Sequence, residues 1–416
     1  MDDKAFSVGK SSLGRLAVPA LTVAAFAVYI SAPTINLLAV DFANTFQVPT
    51  GIATLLFTAN SSALAILALL MGFLAIRFGH RSLLLTGVLF VSISALGCFL
   101  APNLLSLIFF FALEGAGTAM FVIMNSTIIG DHLPLSKKPK AISYTTAGTL
   151  LATIVGTLVI GLIANIGGWR TVFLIFILPL SVIGLLLTSH SLPREPRRQI
   201  PDKSVYLTNF RRVLSNRSAV AALVGVMLGQ ATTFVLFALA FYREHFSQPL
   251  SFIVVANLAA VSIYIVGNLV AGRLATRFGT KPLIAIGGFV SAGFAISFFF
   301  ANQLWLAVAL NMFHAFFSAF PLTAGRCLVI DQIPSSRSTM MSVAAIFGSI
   351  GDAIGSALSG SLLVLFSYQI AGIATGVLGV CATLIFFVAK DPYKNSSRNT
   401  TSLIMESIPE KDDEKS

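Results

Sequence analysis

Charge is what this sequence has least of. Asp, Glu, Lys and Arg together make up 10% of the 416 residues, whereas about 25% is usual in a soluble domain whose surface must face water. Cysteine is scarce as well. Cys98, Cys327 and Cys381 all lie inside apolar runs and lack metal-ligand spacing, so they read as small polarisable packing residues and indicate no redox compartment. No complete phosphate-binding loop is present. Gly9-Lys10-Ser11 imitates the end of one, but Lys4 stands where the motif needs glycine, and no strand precedes it. ATP-driven transport by this chain alone is therefore not expected. HExxH and GxSxG patterns are missing too, and of five histidines only His314 falls within an apolar run. A membrane-embedded enzyme would need such a constellation. Neither a cofactor nor a metal is expected.

What fills the chain instead is hydrocarbon. Hydrophobic residues account for 56% of it, and the mean hydropathy is +0.89. Apolar segments fall at approximately 17–40, 51–76, 82–101, 104–129, 141–165, 170–189, 218–241, 251–271, 282–301, 303–329, 339–367 and 370–389. Runs of about 20 apolar residues are what a bilayer core of roughly 30 Å requires, so the expected fold class is an all-α membrane protein with twelve transmembrane helices. The first run, Ala17 to Val40, exceeds the about 7–15 apolar residues of a cleavable signal and reads as a retained helix. One long hydrophilic break, His190 to Arg217, carries Arg194, Arg197, Arg198, Lys203, Arg211, Arg212 and Arg217, with Pro193, Pro196 and Pro201 expected to break any helix. The chain thus divides into six-helix bundles at 17–189 and 218–389, a linker at 190–217, and polar tails at 1–16 and 390–416. The C-terminal tail is expected to be disordered.

The net charge of +11 is a matter of topology. The basic residues sit in alternate breaks and in the tails, with no basic stripe interleaved with aromatics, so no nucleic-acid partner is expected. With the N-terminus inside, only Arg170 and Arg243 fall outside, and Arg326 lies within a helix; every other Lys and Arg is cytoplasmic. The positive-inside rule therefore places both termini in the cytoplasm. The sequons at Asn395 and Asn399 are then on the wrong side for glycosylation.

The two halves repeat. Residues 72–81 read GFLAIRFGHR and residues 272–281 read GRLATRFGTK, so Gly72, Leu74, Ala75, Arg77, Phe78 and Gly79 recur 200 positions later. The same offset carries Ala101 to Ala301, Asp131 to Asp331, Pro134 to Pro334 and Gly148 to Gly348. An offset that crosses six helices preserves orientation, which makes the halves parallel repeats about an axis along the membrane normal. In each decapeptide turn, Gly72 and Gly272 are expected to allow close helix approach, and Gly79 and Gly279 to supply a turn geometry that other residues resist. Arg77, Arg81, Arg277 and Lys281 are expected to hold the turns at the headgroups.

A loop of this kind in both halves resembles the signature of the major facilitator superfamily, and the likeness covers residues 15–390. GGWRTVF at 167–173 is similar to the segment between helices 5 and 6 in the bacterial drug and sugar exporter branch. The resemblance implies alternating access by two rocking bundles, a small-molecule substrate, a coupling proton and a plasma or inner-membrane location. It points to efflux before uptake of a sugar or organic acid; a non-transporting receptor is a third alternative. The chain is expected to act as a monomer. Departures from the family pattern also stand out. Ile76 and Thr276 occupy positions where the family's loop has an acid, Phe111 replaces an arginine four residues before Gly115, and Gly156-Thr157 replaces a Gly-Pro pair.

Four ionisable residues lie within apolar runs: Glu114, His314, Arg326 and Asp352. A charge in hydrocarbon is costly, so such a group faces a partner, a wet cavity or a pathway. Glu114 and His314 are 200 residues apart and therefore occupy matching positions of the fourth and tenth helices, which the resemblance places on the central cavity with the first and seventh. Asp352 interrupts a Gly-rich stripe, Gly348 to Gly355, in the eleventh helix, and must be protonated, paired or wet. Arg326 near the end of the tenth helix reads as a snorkelling structural residue. Uncharged candidates for the cavity are Tyr29, Asn36, Asn125, Gln230 and Asn311, each of which also has the ordinary role of bonding between helices. Pro33 is expected to kink the first helix.

Overall fold

A computed structural model describes residues 16–133, 137–193, 203–333 and 337–390, and among these all regular structure is helical. Twelve helices are long and apolar enough to cross a membrane: α1 Ala17–Phe46, α2 Thr50–Ala75, α3 His80–Leu100, α4 Leu104–Gly130, α5 Lys140–Gly167, α6 Trp169–Ser191, α7 Arg217–Glu244, α8 Leu250–Phe278, α9 Thr280–Phe299, α10 Leu304–Ile330, α11 Thr339–Leu365 and α12 Tyr368–Val388. The N-terminal tail, Arg194, Arg197 and Arg198 of the linker with Pro196 and Pro201, the pair Pro134 and Pro334, and the tail beyond Lys390 lie outside the described residues.

The duplication seen in the sequence reappears in the packing. In the first half α1 packs on α5 and α6, α2 on α4, and α3 on α4 and α6; in the second α7 packs on α11 and α12, α8 on α10, and α9 on α10 and α12. Every pair recurs six helices later. The halves meet through α1 with α7, α2 with α11 and α5 with α8, and exchanging the halves maps that set onto itself. Glycine sets the closest approaches. A Cβ at Gly115 would overlap the Asn60 carbonyl on α2, and one at Gly351 or Gly355 would overlap the carbonyl of Met227 or Ala231 on α7.

Two helices are interrupted near mid-depth. In α1, Ala17–Tyr29 stops and Ser31–Phe46 resumes. Pro33 has no N–H to give the carbonyl four residues back, which is that of Tyr29. In α7, Arg217–Gln230 and Phe234–Glu244 are separated by Ala231 to Thr233, and Thr233 adopts φ +33°. The expectation that prolines break any helix in the linker needs correcting. Lys203–Ser215 is helical, because Pro201 precedes it. Val213 is buried and Phe210 packs beside it, while Arg211 and Arg212 are exposed.

The decapeptide turns differ from expectation in their glycines. Gly279 has φ +84°, which a side chain resists, but Gly79 has φ −64° and ψ 147°, open to any residue. A Cβ at Gly272 would meet nothing within 4 Å, so close helix approach is not its role in this conformation. At φ +84° and ψ 170° a residue other than glycine costs about 1–3 kcal/mol. Gly279→Ala should therefore lower the Tm of purified protein by several degrees and Gly79→Ala should leave it nearly unchanged; equal shifts would refute the distinction.

The basic residues of the turns split into two kinds. Arg77 and Arg277 lie over the rings of Phe78 and Phe278 at 5.8 and 5.4 Å. Arg81 instead donates to the Ser189 carbonyl on α6, and Lys281 to the Phe387 carbonyl on α12 at 2.9 Å. Both carbonyls belong to the last turn of their helix, where no intrahelical donor remains, so each cation caps the negative end of a helix dipole.

Candidate functional site

The interrupted helices border a cavity of about 600 Å³ whose wall comes mostly from the second half, with Asn36 and Phe57 contributed by the first. It runs from the break in α7 to Val329 and Met341, which lie in the last turn of α10 and the first of α11, on the face that carries the decapeptide turns. Four sequence candidates meet on this wall: Asn36, Gln230, His314 and Asp352. Asp352 is half-buried, with Ser349 beside it on the wall. His314 donates from Nδ1 to the Ser291 carbonyl on α9 at 3.0 Å, and its ring centroid lies 3.9 Å from that of Phe234.

The remaining candidates lie elsewhere. Glu114 is buried, 3% exposed, inside the first bundle and not on the cavity wall. The shared offset of Glu114 and His314 therefore does not give them shared surroundings, because the hollow is displaced toward the second half. Asn125 is buried within the first bundle and Asn311 lies buried beside Tyr242. Tyr29 ends the first segment of α1 and packs partly buried against a mainly aliphatic cluster that includes Met71, Met120 and Met124.

Two wall residues escaped the sequence reading. Tyr264 of α8 gave no signal at all. Arg326, expected to snorkel, is instead exposed on the cavity wall. Helical side chains tilt toward the N-terminus of their helix. On α10 that direction leads away from the decapeptide face and toward the middle, a signal available from the sequence.

At the opposite face the halves are closed against each other. Arg243 of α7 forms a bidentate ion pair with Asp41 of α1, partly buried on both sides. Glu244 accepts from Thr50 on α2 and from the Tyr368 hydroxyl on α12, the latter at 2.7 Å. Deeper, Thr58 and Ser356 share a hydrogen bond of 2.8 Å between α2 and α11. Around these contacts Phe42, Phe111 and Trp169 of one half join Phe237, Phe241 and Phe298 of the other in one apolar cluster. The 167–173 segment supports this end. Gly168 has φ +78°, Trp169 donates to the Thr45 hydroxyl at 2.8 Å, and Arg170 donates to the Ala101 carbonyl at 3.0 Å while lying over the Trp169 ring.

Comparison with known proteins agrees with this architecture. The family model for the Major Facilitator Superfamily matches residues 19–265 and again 221–406. The chain is similar to the Multidrug resistance protein B homolog of Mycobacterium tuberculosis, 30% identical over 30% of this chain and 23% of that protein. It is also similar to the Multi-drug resistance efflux pump PmrA of Streptococcus pneumoniae, 24% identical over 58% of this chain and 61% of that one. In each case the chain spans less than two thirds of the relative. Among solved structures, a bacterial homolog of the human lysosomal transporter Spinster, inward-facing and occupied, superposes with a TM-score of 0.73 at 18% identity, covering 89% of this chain and 96% of that one. A D-xylose-proton symporter superposes at 0.70 and 17% identity, covering 90% and 96%. These two likenesses carry the fold alone. With twelve spans, a loop duplicated in both halves, a packing scheme that repeats six helices later and a family model covering nearly the whole chain, this multi-pass membrane protein belongs to the major facilitator superfamily.

Proposed function

We propose that the protein is a secondary active transporter that exports small organic solutes in exchange for protons by alternating access. The observation that carries this reading is Asp352 on the wall of a cavity hollow toward one face, with the other face closed by polar contacts between the halves. A carboxylate within a membrane span is costly when charged, so its protonation differs between a dry and a wet state. The moving bodies are residues 17–189 and 218–389, joined by 190–217. The positive-inside rule puts the decapeptide face and both termini in the cytoplasm, which makes this the inward-open state of a monomer in a plasma or inner membrane. The efflux direction draws on the similarity to a multidrug resistance protein and a multidrug efflux pump.

Purified protein in liposomes should move organic solutes against their gradient when a pH gradient is imposed, in the direction opposite to the protons. Flux in the same direction as protons would establish the uptake symporter instead, and no flux of any solute would sink the transporter reading. Orientation is read in intact cells with single cysteines and an impermeant reagent: positions 243–248 should label from outside and positions 137–140 should not.

A further inference from the structure

We infer that the cavity receives an amphipathic organic acid, with Arg326 as the counter-ion of its carboxylate. The inference rests on the transporter reading above and narrows its substrate class. Arg326 lies within a membrane span, is exposed to the cavity, and among the described residues has no carboxylate partner and no hydrogen bond. A guanidinium stays protonated at every physiological pH and offers five donors in a planar fork that matches a carboxylate. It lines the same cavity as Tyr264, which stands at the middle of α8, and so borders the hollow.

No acid on the wall pairs with it directly. Asp352 is the one acid there among the described residues, and the two form no ion pair. In the exchange proposed above the solute binds after Asp352 has released its proton, so a carboxylate is drawn by the local field and donor fork of the unpaired guanidinium and not by a net charge on the wall. The second segment of α7 adds to that field. Its first residues, Phe234, Val235 and Leu236, border the cavity after the left-handed Thr233. Their N–H groups have no preceding helical turn to bond, and the positive end of the helix dipole faces inward. The Thr233 hydroxyl has no partner among the described residues. An apolar body finds its complement in Phe57, Phe234, Leu322 and Phe386, and the volume suits one small organic molecule. A cationic solute would meet the guanidinium in a medium of low dielectric constant, where like charges repel strongly.

The test uses full-length protein in lipid nanodiscs and a panel of aromatic bodies of increasing size. Each body is presented as carboxylate, alcohol and ammonium, as in naphthylacetate, naphthylethanol and naphthylethylammonium. Carboxylate members should bind at least about tenfold more tightly than their alcohols, as a charge-assisted bond in a partly dry site implies. Arg326→Gln should erase that preference and leave alcohol binding within about twofold, while Arg326→Lys should keep part of it. Thermal melting of each variant checks the fold, and alcohol binding by Arg326→Gln checks the cavity. Three outcomes overturn the inference: no carboxylate member binds, alcohols or ammonium members bind equally well, or Arg326→Gln leaves carboxylate affinity unchanged. Flux separates the two readings. Proton-driven transport of neutral or ammonium members without carboxylate preference refutes the substrate class and leaves the transporter standing. Carboxylate binding without flux of any member does the reverse.

Discussion

Asp352→Asn abolishes accumulation driven by a pH gradient and leaves solute exchange intact. Asparagine keeps the size and a hydrogen-bonding group but fixes the side chain neutral, so binding and rocking persist while proton discharge is lost. At one proton per solute, a gradient of one pH unit is worth about 1.4 kcal/mol and sustains about tenfold accumulation. The variant should fall to an accumulation ratio of about one, with counterflow of labelled against unlabelled solute near the parent rate. Glu114→Gln is the control. Its carboxylate is buried in the first bundle and absent from the cavity wall, so accumulation should survive. If both variants accumulate like the parent, these acids are structural, and a sodium-coupled or uniport mechanism is the better reading. Loss of accumulation in Glu114→Gln alone would move the proton carrier into the first bundle.

The second large effect is expected at the closed face. Thr58 and Ser356 are joined by a 2.8 Å hydrogen bond across the two halves. Alternating access requires that bond to break on every cycle. A Thr58→Cys, Ser356→Cys pair, built in a background without Cys98, Cys327 and Cys381, should form a disulfide under mild oxidation. Flux should then fall to the level of empty liposomes and return on reduction. Each single variant should transport, because one hydroxyl–hydroxyl hydrogen bond contributes only about 1 kcal/mol. Full flux with the disulfide in place would show that α2 and α11 do not separate, and the rocking description would have to be abandoned.

The bilayer is the reason so much of the fold was legible. It demands long apolar runs, so spans and duplication can be read by counting. The site was legible only in part. Pro33 announced the break in α1, but Gly229-Gln230-Ala231-Thr232-Thr233 holds no proline to announce the left-handed Thr233 that interrupts α7. Asp352 and Gln230 could be chosen because polar groups inside a membrane need a reason to be there. Glu114 satisfied the same rule and proved to be interior to a bundle. A rule based on cost cannot tell a cavity wall from a satisfied core position. Repeat symmetry misled as well: the helix packing obeys it, but the hollow, walled mostly by the second half, does not. Arg326 was misjudged by its distance from the helix end, although the tilt of helical side chains pointed the other way.

Gly51 and Gly360 sit at the closed face, where a Cβ on either would overlap the backbone carbonyl or side chain of the facing helix. Main chain therefore rests on main chain between α2 and α11, with the Thr54 hydroxyl bonded across to the Ser356 carbonyl at 3.4 Å. Flexible side chains at such a junction could part briefly and admit a thread of water, along which protons hop without any carrier. A junction built from glycine backbone has no long side chains to swing aside, and gaps narrower than a water molecule hold no thread. The two glycines are thereby expected to insulate the membrane: while the cavity stands open to one compartment, protons should not drain through the protein, and bulk at Gly51 or Gly360 should raise that leak.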